Sequence, residues 1–371
     1  MRSGTAILPL HFGHPPEYLY RRMIVLGGTI SDLILEKFGS DEFLSKLADP
    51  FWFHSLSLAI GFDWNSSGTT TTTLSALKEY FSKKADSIRI LGGKGQTMSE
   101  IGPELNAAVA EGFIPERTAA EIRGKAKAIA RVDENLLQDG YNLYMQFIVI
   151  HDSGKWTIIQ QGLNSDQRMA RRYHWNHRTS GNLIDDGRNG ISAFSVQEAV
   201  LDLSTAVSSK NREAIVAVSK ERPERLKQYS RISSLRLNGQ TSLDGTAYWG
   251  KVLNMDYRIN WNTLRELYEY DPSNFIDVMN FKGIGKSTLR ALSYLAEVIY
   301  GDPPSFRDPV KFSFAVGGKD GVPKPINRFD YDRAIEFYSE ALSGSPERKK
   351  VLDNIIRSLA RYSSNATSSR T

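Results

Sequence analysis

The sequence of 371 residues contains no cysteine. Disulfides, thiolate zinc sites, iron–sulfur clusters and cysteine nucleophiles are thereby excluded, and any metal must sit on carboxylate, imidazole, amide or water. Histidine is scarce as well, at six. No uninterrupted apolar run reaches the about 18 residues that cross a bilayer, and no basic-then-apolar signal pattern opens the chain. A cytoplasmic protein without a membrane partner is the expectation, nucleoid-associated if DNA is its ligand. An excess of acid is missing too: 47 Lys and Arg stand against 42 Asp and Glu, for a formal net charge of +5 and a pI near 9.1. The clustering of these bases points to a polyanion rather than to an acidic metabolite.

The length suits about two or three domains, each large enough for its own core. Leu19, Met23, Leu26, Ile30, Leu33 and Leu35 are spaced for the buried face of one helix, which Gly39 closes. The apolar stretch Phe51 to Phe62 leads through Asp63 and Trp64 into Ser66-Ser67-Gly68 and five consecutive threonines, before a helical pattern from Leu74 to Lys84. A buried element, a loop of small residues and then a helix make a phosphate cradle, with Ser66, Ser67, Gly68, Thr69 and Thr70 as the candidate contacts. Good helix formers run from Arg117 to Gln138, ended by Gly140. Two strands, Leu143 to His151 and Lys155 to Gln161, flank the turn Asp152-Ser153-Gly154. Both are apolar on both faces, so the hairpin belongs inside a larger sheet. The predicted architecture is an α/β or α+β catalytic domain over residues 1–237, a mainly helical DNA-binding domain over 238–362, and a disordered tail over 363–371.

The sharpest local pattern lies within 273–300, where a short helix ends at Lys282-Gly283-Ile284-Gly285 and Lys286-Ser287-Thr288 opens a second helix. Leu289, Leu292, Leu295, Ala296 and Ile299 give that helix an apolar stripe, with Ile284 plugging the turn into the pair. Gly283 and Gly285 let the backbone approach a ligand, so the first N–H groups of the helix, at Lys286, Ser287 and Thr288, face a DNA phosphate. Lys282, Lys286 and Arg290 add charge. Such contacts position a protein on the backbone without reading sequence. The alternative is a helical hairpin that merely packs.

The chain resembles domain-of-unknown-function family 763, an archaeal and bacterial group, over nearly its whole length. The resemblance is carried by Leu8-Pro-Leu-His11-Phe-Gly13, Asp63-Trp-Asn-Ser-Ser-Gly-Thr-Thr70, Gly92-Gly-Lys-Gly95, Gln138-Asp-Gly140 with Leu143-Tyr144, Gln160-Gln-Gly162 with Asn164, Ala170-Arg-Arg-Tyr-His-Trp175, the helix-hairpin-helix and Gly317-Gly-Lys-Asp-Gly321. It implies a site map rather than an activity. Gln146 and Val316 stand where relatives are expected to carry histidine, which argues against an imidazole ligand at either place.

A DNA hydrolase without cysteine calls for Mg²⁺ or Mn²⁺ on carboxylates, since hard cations prefer oxygen and activate water beside a phosphodiester. The candidates are Asp63, Asp133 and Asp139, with Asp63 equally able to cap the threonine run. Asp133 and Asp139, six residues apart, are about 240° apart on an ideal helix and share a face only if the helix ends before Gly140. Gln160 or Gln161 falls opposite Gln146 across the hairpin, for a base edge, a water or a structural amide ladder. Arg171-Arg172-Tyr173-His174-Trp175 interleaves charge with aromatic surface, as phosphate contacts and stacking on an unpaired base require; His174 is a candidate for proton transfer or a hydrogen-bonded structural residue. His11 and His14 form a minor metal-binding option. Lys94, in its glycine loop, is a DNA contact, but the loop lacks the Gly-x4-Gly-Lys-Ser/Thr spacing of an ATPase. The leading expectation is therefore a metal-dependent DNA nuclease of repair or recombination. The rivals are a non-catalytic DNA-binding accessory protein and a phosphoryl-transfer enzyme built on Ser66 to Thr70.

Overall fold

The computed structural model describes residues 15–62, 67–84, 87–193, 196–197, 200–228 and 259–310. Asp63, Ser66, His11, His14, Val316, the Gly317 loop, the tail and the boundary expected at residue 237 all lie outside them.

The fold is of the α+β kind, around a five-stranded antiparallel sheet ordered β1-β3-β4-β5-β6. Its strands are β1 (Ile88–Lys94), β3 (Asn142–His151), β4 (Trp156–Asn164), β5 (Met169–Asn176) and β6 (Gly190–Ser192). A small separate ladder joins β2 (Leu137–Gln138) to β7 (Leu201–Asp202). The β3–β4 hairpin forms where the turn signal and apolar runs predict it. Its register sets Gln146 opposite Gln160 rather than Gln161. Alternate residues of β3 serve two different cores: Phe147 and Val149 pack under the N-terminal helices, while Ile148 and Ile150 pack on the other side. This is the pleat of a strand covered on both faces.

The first face is covered by α1 (Glu17–Ala48), α2 (Pro50–Ala59) and α3 (Ser67–Ser82). Gly39, at φ 80°, breaks α1 where its helical pattern ends, and the chain then resumes a helix as far as Ala48. Asp49 starts α2 by accepting from the N–H groups of Phe51 (2.8 Å) and Trp52 (3.2 Å), with Pro50 at the first helical position. Most of the apolar stretch from Phe51 is thus helical. The threonine run also departs from expectation: α3 begins at Ser67, so Thr69 and Thr70 are helical and fully buried. Their hydroxyls find partners inside the protein, as Thr73 does on Ser57 at 3.0 Å. That removes the usual competition between hydroxyl and backbone that keeps threonine out of helices.

The second face carries α4 (Ile101–Ala110), α5 (Glu116–Arg131) and α6 (Ser209–Ser219), and with them the later helices α7 (Trp261–Tyr270), α8 (Phe275–Asn280) and α9 (Lys286–Tyr300). Residues on both sides of the expected domain boundary therefore share one apolar cluster. The helix predicted to reach Gln138 stops at Arg131 and gives way to a π-helical turn, Val132–Leu136, before β2. No described helix is long and apolar enough to cross a membrane.

Candidate functional site

The π turn decides where the candidate aspartates go. Asp133 is swung into the interior with no exposed surface and is held by Arg188 Nε at 2.5 Å, by the Trp175 indole N–H at 2.8 Å and by the Gln160 amide. Gln160 accepts from Gln146 at 2.8 Å, and Gln146 also donates to the Ala126 carbonyl at 3.1 Å. The amide ladder thus exists and ends on a carboxylate. Burial pushes the Asp133 carboxyl above the usual range, while the Arg188 guanidinium opposes that shift.

Asp139 belongs to a second closed network. It accepts from Arg171 Nη1 at 2.9 Å, Tyr173 Oη at 2.8 Å and the Tyr141 N–H at 3.0 Å, while Arg171 also pairs with Asp308 at 2.8 Å. Burial raises its carboxyl and the neighbouring Arg171 resists. Ion pairs of this kind, fully desolvated, leave a carboxylate few free lone pairs for a cation. Among the described residues no group of three or more carboxylate or imidazole side chains is arranged to hold a metal.

Arg171, Arg172, Tyr173, His174 and Trp175 alternate across β5 and are all buried, so none of them offers a base a free stacking face in this conformation. Arg172 stands on the first face, donating to His174 Nε2 at 2.8 Å and Thr70 Oγ1 at 3.1 Å and lying 4.5 Å over the Phe53 ring. No carboxylate of the described residues pairs with it, and burial pulls its pKa down to about 9. His174 Nδ1 lies 3.0 Å from the Leu47 carbonyl. A donor there and an acceptor at Nε2 define a neutral ring, and burial first, then Arg172, holds its pKa well below normal. This is the setting of a hydrogen-bonded structural histidine.

Two of the sequence motifs do meet at an open place. A cleft of about 810 Å³ is walled by the α3 residues Ser67, Gly68, Thr71, Thr72, Ser75 and Lys78, by Glu17 and Tyr20 of α1, and floored by Gly92, Gly93, Lys94, Tyr144 and Phe147. Gly92 takes φ 86°, a conformation that costs glycine little, and its carbonyl accepts from Lys78 at 2.7 Å while its N–H donates to Glu104 at 2.6 Å. Lys78 and Glu104 close the clamp on each other at 2.5 Å. Lys94 is exposed, 5.6 Å over the Tyr144 ring. Behind the wall Gln161, fully buried, donates to the Ser67 carbonyl at 2.9 Å and to the Tyr144 hydroxyl, while its Oε1 accepts no hydrogen bond from a described residue. The sequence reading singled out Ser67, Gly68 and Lys94 but missed Lys78 and Glu104. Only the Gly92 loop, with its need of anchoring, hinted at them.

Between α8 and α9 the chain turns within residues 281–285. A capping box of Asn274 and Asp277 starts α8, Gly283 turns the chain at φ 89°, Ile284 is buried, and no side chain caps α9 at Gly285. A Cβ at Gly285 would meet no described residue within 4 Å. Lys282 is exposed. Ser287 is half-buried and Thr288 buried, and Arg290 is turned inward, donating to Gln138 at 2.6 Å. Lys286 is a tether: its Nζ holds Glu134 at 3.0 Å and the Asn142 side chain, and its carbonyl accepts from Gln138 at 2.8 Å.

A family model described as Protein of unknown function (DUF763) matches residues 4–326. No curated protein matches the chain, and no solved structure does.

Proposed function

We propose a DNA-binding function for this chain, which belongs to the DUF763 family of proteins of unknown function. The observation that carries the reading is the Lys286 tether to Asn142, the first residue of β3. Tyr144 follows two residues later, about 7 Å along the strand, and Lys94 pairs beside it across β1. The glycine hairpin and the cleft, distant in sequence, therefore adjoin one end of the sheet. The start of α9 and the exposed Lys282 on the second face, with the exposed Lys94 beside the cleft on the first, suit backbone phosphates. The net charge of +5 agrees.

The nuclease reading finds no support in Asp133 and Asp139, whose oxygens are taken up by arginines and by neutral donors, and Asp63 is outside the described residues. The proposal is thus binding without an assigned hydrolytic step. Labelled single-stranded, duplex and flap DNAs incubated with Mg²⁺, Mn²⁺ or EDTA separate the two: cation-dependent cleavage would replace the binding-only reading.

Binding itself is tested by fluorescence anisotropy on two unrelated duplexes at several salt concentrations. Lys282→Ala is expected to lower the log–log salt slope by about 1, equally for both duplexes. Gly285→Leu, whose side chain enters open space in front of the α9 N-terminus, is expected to weaken both complexes without loss of thermal stability. Lys286→Ala is a poorer probe, since it also frees Glu134. An unchanged affinity and slope in Lys282→Ala and Gly285→Leu would leave the turn as a packing hairpin only.

A further inference from the structure

We propose that the cleft between α1, α3 and β1 is a binding site for one nucleoside 5′-phosphate, supplied either as a free mononucleotide or as the terminal nucleotide of a DNA strand. The volume of about 810 Å³ lies within the range of small-molecule sites. Its charges select the sign of the ligand. Glu17 and Glu79 are held by Arg21 and Lys83, and Lys78 by Glu104, whereas Lys94 makes no ion pair with any described residue. One uncompensated cation thus faces a cleft that opens on the N-terminus of a 16-residue helix. Both favour an anion.

The rest of the lining suits a nucleoside better than an inorganic ion. Thr71 and Ser75, four residues apart on α3, place two hydroxyls along one wall, the Thr71 hydroxyl also donating to the Gly68 carbonyl at 3.1 Å. Such a pair matches the oxygens of a sugar. Tyr144 supplies an aromatic surface beside Lys94, the pairing that takes a base on the ring and a phosphate on the cation. Gly92 and Gly93 bring backbone to the floor, with the Thr97 side chain set against Gly93.

A second observation is independent of the helix end. Gln161 is fully buried, its amide nitrogen spans Ser67 and Tyr144, and its Oε1 is left without a donor among the described residues. A buried acceptor in that state is costly, and it sits on the residue whose amide holds Ser67 and Tyr144, two members of the cleft wall.

The test is isothermal titration of the full chain with 2′-deoxynucleoside 5′-monophosphates, with the unphosphorylated deoxynucleosides and with inorganic phosphate. Saturable binding of the monophosphates, stronger than that of either fragment, is expected. Lys94→Ala should weaken it about tenfold, the loss of one charge-assisted contact, and Ser75→Tyr, which fills the cleft, should abolish it. Equal binding of inorganic phosphate, or titrations unaffected by Ser75→Tyr, would overturn the assignment. So would no binding by the monophosphates together with equal affinity for 5′-phosphorylated and 5′-hydroxyl single strands. Binding only to the 5′-phosphorylated strand identifies the strand end as the source. Because mononucleotides do not span the hairpin, failure of the DNA-binding proposal leaves this result unaffected.

Discussion

Asp133→Ala is expected to lower folding stability by about 3–5 kcal/mol, the range for removing one partner of a buried ion pair. Arg188, only 6 % exposed, would lose its directly bonded carboxylate and keep only the nearby charge of Asp202, and the donors of Trp175 and Gln160 would lose a common acceptor. Asp133→Asn keeps the shape but presents an amide where two donors and a guanidinium arrive, so it should fall in the same direction. The double variant Asp133→Ala with Arg188→Met should be less damaged than Asp133→Ala alone, because the orphaned charge is gone. Urea unfolding of the three variants decides the matter. If Asp133→Asn unfolds like the parent protein and instead loses a Mn²⁺-dependent stabilisation, the carboxylate is a metal ligand and the closed network is not its role.

Gly92→Ala is expected to cost about 2–5 kcal/mol, from the left-handed backbone that alanine resists and from overlap with fixed atoms. A Cβ there would lie 2.3 Å from the Gln146 carbonyl oxygen, a backbone atom of the paired strand, and 3.0 Å from Ile101. The loop has little freedom to yield, because Lys78 and Glu104 grip both sides of Gly92. Gly95, at φ 62° with open space about its Cβ position, is the control and should lose only the conformational part, about 1–2 kcal/mol. Thermal unfolding of the pair checks the difference. Equal losses at the two positions would show that β1 moves freely and that the clamp does not hold the cleft floor.

How much of the site was legible depended on which principle governed each segment. The hairpin from Asn142 to Asn164 and the turn at Gly283 were readable because turn chemistry is local: glycine at positive φ and an apolar run on either side need no knowledge of the rest of the chain. The threonine run was misread as a loop, since its intrinsic propensity is overridden by buried hydroxyl partners such as Ser57 and Arg172. The stretch Arg171 to Trp175 looked like an exposed nucleic-acid patch. It is a strand with neighbours on both sides, and its two arginines serve opposite faces, one paired with Asp139 and Asp308 and the other with neutral groups alone.

From the sequence by itself came the absence of thiol chemistry, the basic balance, the antiparallel hairpin and the glycine turn before α9, since each rests on composition or on residues a few positions apart. Only the tertiary structure decided that Asp133 and Asp139 turn inward to Arg188 and Arg171, and that Ser67 and Lys94 wall one cleft. The partners in these contacts come from segments far apart along the chain. Strand register and the π turn at Val132–Leu136 set where such side chains meet, and no local pattern of charge or hydropathy encodes them.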